Sequence, residues 1–142
     1  MTLRRAEAAD APALGRVLSD WIDETPWMPR LHTRAEDEGF VAGLIADCDV
    51  WTKEGTTGFI AVRGTKISAI YVAPTARGAG LGQRLIGSAK ADRKALNLWT
   101  FQANGGAIRF YLREGFREVE RTDGAANEEA LPDVRMRWEA QR

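Results

Sequence analysis

The run Val72-Ala-Pro-Thr-Ala-Arg77-Gly78-Ala79-Gly80-Leu81-Gly82-Gln83 constrains this chain more than any other segment. It follows the apolar stretch Ile67-Ser-Ala-Ile-Tyr-Val72 and precedes Leu81, Leu85, Ala89 and Leu96, which share one helical stripe. Residues 66–102 therefore read as a strand (66–72), a glycine turn, a helix (80–96) and a second strand (98–102). A connection of that length joins parallel neighbours through a right-handed crossover. Apolar side chains on both parities of 67–72 place that strand inside the sheet.

The remaining segments supply partners for this unit. Residues 2–6 read as a short strand. Asp10, with Pro12 in the first turn, caps a helix that carries Leu14, Val17, Leu18 and Trp21. Thr33 and Glu36 have the spacing of a capping box, and the helix they open presents Phe40, Val41, Leu44 and Ile45. Strands are expected at 50–53, 58–62, 116–121 and 133–139, with turns at Gly55 and Arg63-Gly64. A helix at 107–114 ends on Gly115. The last strand alternates Val134, Met136 and Trp138 with charged residues, so one face is wet and its edge is open to pairing. Short links make these strands antiparallel. The expected fold is α/β (α+β): one domain over 1–142, a mixed, mostly antiparallel sheet of about seven strands, a central parallel pair and helices on both faces. With 142 residues, 44% hydrophobic, the chain is large enough to bury such a core.

Charge and composition exclude several function classes. Lys+Arg and Asp+Glu number 20 each, which argues against a nucleic-acid or anionic-membrane partner. A lone cysteine, Cys48, rules out internal disulfides, and its neighbours Asp47 and Asp49 disfavour a thiolate nucleophile. His32 is the only histidine, so no metal is expected. No apolar run reaches the roughly 18 residues of a membrane span, and the N-terminus lacks the apolar core of a secretory signal. The expected location is cytoplasmic.

A glycine turn at a helix N-terminus offers unpaired amides and positive dipole to an anion, and Arg77 adds a forked cation. Such a turn also serves as a packing device with no ligand. A P-loop would place Lys-Ser/Thr after the last glycine, where this chain has Gln83-Arg84, and the G-x-G-x-G spacing departs from the dinucleotide fingerprint. Val-x-Pro-x-x-Arg-Gly-x-Gly-Leu-Gly instead resembles the acyl-CoA pyrophosphate loop of the GCN5-related N-acetyltransferase (GNAT) superfamily. Downstream, Asn104-Gly-Gly-Ala107-Ile-Arg-Phe110-Tyr111-Leu-Arg-Glu-Gly115-Phe116 is similar to the family's Asn-x-x-Ala-x-x-x-Tyr-x-x-x-Gly-Phe element. The two motifs stand in the family's order, and the element order matches over nearly the whole chain.

The resemblance implies a splayed parallel pair, 66–72 and 98–102, that takes the pantetheine arm of acetyl-CoA. Ile70, Tyr71 and Val72 would hold the arm and acyl group. Arg77, Gly78, Ala79, Gly80, Leu81, Gly82 and Gln83 would hold the pyrophosphate, with Asn104 and Ala107 opposite. Tyr111 would be catalytic, donating a hydrogen bond to the departing thiolate; a plain core aromatic is the alternative. Acceptor contacts are expected from the loop after the first helix (Trp27, Met28, Arg30) and from Glu128, with tucking of that loop onto the core as the alternative. Glu24, Glu128, Glu129 and Asp133 flank the acceptor side, and none is singled out as the base. The implied activity is acetyl transfer from acetyl-CoA, without metal, to a primary amine of a small molecule or peptide, by a monomer or homodimer. A CoA-binding sensor that has lost catalysis is the alternative.

Overall fold

Continuous apolar runs form the middle of the sheet, and amphipathic segments cover both of its faces. The structure is a computed structural model that describes residues 2–141. Seven strands, β1 (Leu3–Arg5), β2 (Asp49–Lys53), β3 (Gly58–Arg63), β4 (Lys66–Val72), β5 (Ala95–Phe101), β6 (Arg117–Thr122) and β7 (Asp133–Glu139), lie in the order β1-β2-β3-β4-β5-β7-β6. Only β4 and β5 run parallel; every other pair is antiparallel. Helices α1 (Ala11–Glu24) and α2 (Arg34–Asp47) cover one face, where Leu14, Leu18, Val41 and Leu44 meet Phe59, Ala61 and Ala69. Helices α3 (Leu81–Lys90) and α4 (Gly105–Arg113) cover the other, where Leu81, Leu85, Ile86 and Tyr111 meet Ile60, Val62, Leu98 and Met136. Strand β3 alternates between these cores, which is why it is apolar at successive positions.

One irregularity shapes the functional region. Val62 lies opposite Ile67, but Ala61 lies opposite Ala69, so Ser68 is an extra residue in β4. A bulge of this kind bends its strand and increases its twist. Ile67 faces the α3 core, and after the bulge Ala69 faces the α1–α2 core. Beyond it β4 leaves β5: their register is Lys66 opposite Asn97 and extends no further, supplemented by Asn97 N–H donating to Thr65 O at 2.6 Å.

Several expectations are corrected here. The α3 helix stops at Lys90 rather than at 96; Arg93 donates to Ala89 O at its last turn and reaches Gly64 O and Asp49. Leu96, spaced as if on the helical stripe, is instead a fully buried residue of β5 opposite Trp138. Phe40 does not join the apolar face of α2 and is 53% exposed. Asp10 is the N-cap of α1 by position, yet its carboxylate accepts from Glu7 N–H and Arg4 rather than from α1. The alternating strand β7 is not an edge, because β6 returns to pair along its outer side. The capping box at Thr33 and Glu36 is present with both hydrogen bonds made, and Gly115 adopts φ +94° after α4.

Candidate active site

The departure of β4 from β5 opens a wedge of about 770 Å³, walled by Ile67–Val72 on one side and Leu98–Phe101 on the other. Backbone amides and carbonyls facing a gap of this kind lack ladder partners, and buried peptide groups need them. The glycine turn and α3 close one end, and α4 forms the flank opposite.

Local sequence makes the turn what it is. Gly78 (φ +83°) and Gly80 (φ +82°) both sit in the left-handed region, and an added Cβ at either would meet nothing within 4 Å. Backbone conformation, not crowding, demands glycine there, and the space before them is open. Gly80 caps α3 without a side-chain hydrogen bond, and the first helical bond runs from Arg84 N–H to Gly80 O. The amides of Leu81, Gly82 and Gln83 are thus left for an anion at the positive end of the helix dipole. Gly82 has a different reason: a Cβ would come within 3.2 Å of Phe110, so it lets α4 approach α3.

Tyr111 projects from α4 into the wedge and is 7% exposed, between the rings of Phe110 and Phe116 at 5.4 and 5.8 Å. Burial pushes its phenol well above the ordinary value, with a smaller push from Tyr71. Tyr71, on the facing strand, is pushed up to about 12, first by burial and then by the charges of Glu129 and Asp37. Both hydroxyls therefore keep their protons at neutral pH.

All the residues expected around a carrier, except Ala79, line this wedge: Ile70, Tyr71, Val72, Arg77, Gly78, Gly80, Leu81, Gly82, Gln83, Asn104 and Ala107. Asn104 also caps α4, its Oδ1 accepting from Ala107 N–H at 3.2 Å. Arg77 is not free: its Nε donates to Val72 O at 3.0 Å and a terminal nitrogen to Glu24 at 2.5 Å.

The acceptor-side residues separate. Trp27 lines a recess of about 420 Å³ beside the wedge, together with Trp21, Glu24, Thr25, Pro26, Arg77 and Asn104. Met28, Arg30 and Glu128 line neither space. The Arg30 guanidinium is engaged by Asp23, Asp37, Ser19 O and His32 O, which ties the α1–α2 loop to both helices. Glu128 pairs with His32, joining that loop to the β6–β7 loop. Of the other carboxylates, Asp133 accepts from Thr122 and Asn127, and Glu24 holds Arg77. Glu129 makes no ion pair or hydrogen bond among the described residues, while its charge is felt at Tyr71.

Sequence reasoning missed Trp21 as a site residue, treating it as part of a helix stripe. Its ring stands 5.3 Å from Tyr71 and 6.0 Å from Trp27, and Trp27 stands 5.7 Å from Phe101. The two indoles thus bridge β4 to β5 across the open end of the wedge. No local signal reveals this, because the bridge joins residues 80 positions apart.

Comparison with known proteins agrees with this geometry. A family model described as an acetyltransferase (GNAT) domain matches residues 33–118. Peptidyl-lysine N-acetyltransferase YiaC of Escherichia coli (strain K12) is 28% identical over 145 residues, covering 96% of this chain and 95% of that protein. In fold, the chain is similar to the apo-form YjaB of Escherichia coli (TM-score 0.78, 22% identity, 96% of both chains). It is also similar to yncA from Salmonella typhimurium, solved with its cofactor acetyl-CoA (TM-score 0.74, 18% identity, 100% of this chain and 95% of that one). The family match spans more than half the sequence and includes the glycine turn, the wedge and Tyr111, so the chain belongs to the GNAT family of N-acetyltransferases.

Proposed function

We propose that this chain transfers an acetyl group from acetyl-CoA directly to a primary amine of a small molecule or peptide, and that a peptide lysine side chain is the first acceptor to test. The observation that carries the reading is the wedge: β4 and β5 separate after Lys66 and Asn97, and the gap runs from the free amides of α3 to the Tyr111 hydroxyl. These residues suit a thioester carrier. Along Ile70, Tyr71 and Val72 the edge of β4 that faces the gap has no partner in β5, and it takes an amide-rich arm much as it would an added strand. The turn from Arg77 through Gly78, Ala79, Gly80, Leu81 and Gly82 to Gln83 takes a diphosphate, and Asn104 and Ala107 form the far wall. The peptide-lysine acceptor draws its support from YiaC, which carries that activity in its name.

The carrier supplies an activated acyl group when bound. Tyr111 supplies a hydrogen bond to the sulfur as negative charge grows there. A phenol near 10 giving its proton outright to a thiol near 8.5 is uphill by about 2 kcal/mol. Burial of Tyr111 widens that gap, so donation of a hydrogen bond, not transfer of the proton, is its role. The amine attacks only when neutral. A lysine-type amine at pH 7 is neutral in about one molecule in 2,500, a deficit of about 4–5 kcal/mol that a carboxylate or a water leading to one relieves. Glu129 lines neither the wedge nor the recess, but it makes no ion pair or hydrogen bond among the described residues and its charge is felt at Tyr71, so we assign it that task through an intervening water.

The test is release of free thiol from acetyl-CoA by the purified chain with a panel of lysine peptides and small amines. Turnover with at least one amine is expected. Tight acetyl-CoA binding with no thiol release for any amine would instead establish a CoA-binding module without catalysis.

A further inference from the structure

Beside the wedge, the recess of about 420 Å³ combines two indoles, Trp21 and Trp27, with a single carboxylate, Glu24. Aromatic faces next to a carboxylate attract a cation that carries an apolar or planar stem. A cation already sits there: the Arg77 guanidinium, 2.5 Å from Glu24 Oε1 and anchored through Nε to Val72 O. We propose that this recess is a specificity subsite for a second basic group on the acceptor, distinct from the amine that is acetylated. In that account Glu24 is its counter-charge, and Arg77 is a placeholder that occupies Glu24 in the empty protein. The inference rests on the acetyl-CoA reading above.

Three features support it. Recess and wedge share Trp21, Arg77 and Asn104, so a group in one lies a residue's reach from the other. The Glu24–Arg77 pair is partly exposed, with side chains 32% and 45% accessible, and such pairs are weak and easily exchanged. Arg77 also begins the glycine turn and covers Val72 O, so a diphosphate on the α3 amides and an arm on the β4 backbone both draw it away from Glu24. Carrier binding thereby frees the carboxylate for the acceptor. An acceptor of this class is a peptide with Arg or Lys near the modified lysine.

The experiment compares N-acetyl, C-amide peptides Arg-Gly-Lys-Gly-Arg and Ala-Gly-Lys-Gly-Ala at saturating acetyl-CoA, with CoA binding measured separately by calorimetry. In the parent protein the basic peptide is expected to have a KM at least tenfold lower, with similar kcat. In Glu24→Gln that preference falls to within twofold, while kcat on the neutral peptide and CoA affinity are retained. In Arg77→Gln, calorimetry without CoA is expected to show the basic peptide binding as tightly as it binds the parent protein with CoA present. Equal KM for the two peptides in the parent, or an undiminished preference in Glu24→Gln, overturns the inference while leaving acetyl transfer intact. Absence of any heat with CoA overturns both this inference and the acetyl-CoA reading beneath it.

Discussion

Tyr111 is placed by three local choices: Asn104 caps α4, Gly82 lets that helix close on α3, and Phe110 and Phe116 fix the ring. Its hydroxyl meets the wedge rather than a protein acceptor, and only burial and Tyr71 perturb its proton. Removing the hydroxyl while keeping the ring isolates its contribution. Tyr111→Phe is expected to lower kcat by about 10²-fold, the scale of a single lost donor at a developing anion. Acetyl-CoA affinity should change less than threefold by calorimetry; full turnover under chemistry-limited conditions would remove the role. Glu129 permits a complementary measurement. Glu129→Gln is expected to depress kcat/KM about tenfold or more at pH 7 and far less near pH 9.5, where more of the amine is already neutral. A uniform loss across the pH profile would show that Glu129 does not take the proton.

At the scale of elements, the α1–α2 hairpin carries its own tie. Asp37, 4% exposed, accepts from Ser19 Oγ at 2.5 Å and from Arg30 at 2.9 Å, and Arg30 then reaches Asp23, Ser19 O in α1 and His32 O in the loop. This network holds the loop that carries Trp27, so the tryptophan bridge over the wedge depends on a polar cluster away from the chemistry. Asp37→Ala leaves the Ser19 hydroxyl and part of the Arg30 guanidinium unpaired. A fully buried pair broken in this way costs about 3–5 kcal/mol, and residual access of water to Arg30 brings the expectation to about 2 kcal/mol. Thermal melting should fall by about 6 °C, with a raised acceptor KM at temperatures where the variant is folded. A variant that melts like the parent would show that the network is dispensable.

Over the whole molecule, titration should limit stability from both sides. Asp10 is held below the usual carboxylate range by Arg4 and by the Glu7 amide. Its folded form therefore releases the proton more readily than the unfolded chain, so this stability is present above about pH 4 and lost as pH falls through the folded value. Tyr71 and Tyr111 are raised, so the folded state keeps protons that the unfolded chain sheds above about pH 10, and stability declines as pH rises past that point. A melting profile flat from about pH 5 to pH 9 and falling at both ends is expected. Tyr111→Phe should make the alkaline fall shallower. An unaltered alkaline limb in that variant would contradict the burial of the phenol.

Local pattern was enough for much of this protein. The glycine turn, the Thr33–Glu36 capping box, the stop at Gly115 and the exact span of β4 each depend on residues within a few positions of one another, and backbone sterics and hydrogen bonding act at that range. Two motifs in order were sufficient for the family. Tertiary structure alone decided where periodicity is ambiguous: Leu96 has helical spacing from Leu85 yet enters β5, because pairing with β7 buries it completely. It also decided what long-range contacts do with individual side chains. Arg30 became a tie between helices, Glu128 a partner of His32, and Trp21 part of a bridge between diverging strands. The Ser68 bulge lies where β4 leaves β5, and it is visible only from β3, since an extra residue in a strand exists only relative to the register of its neighbour.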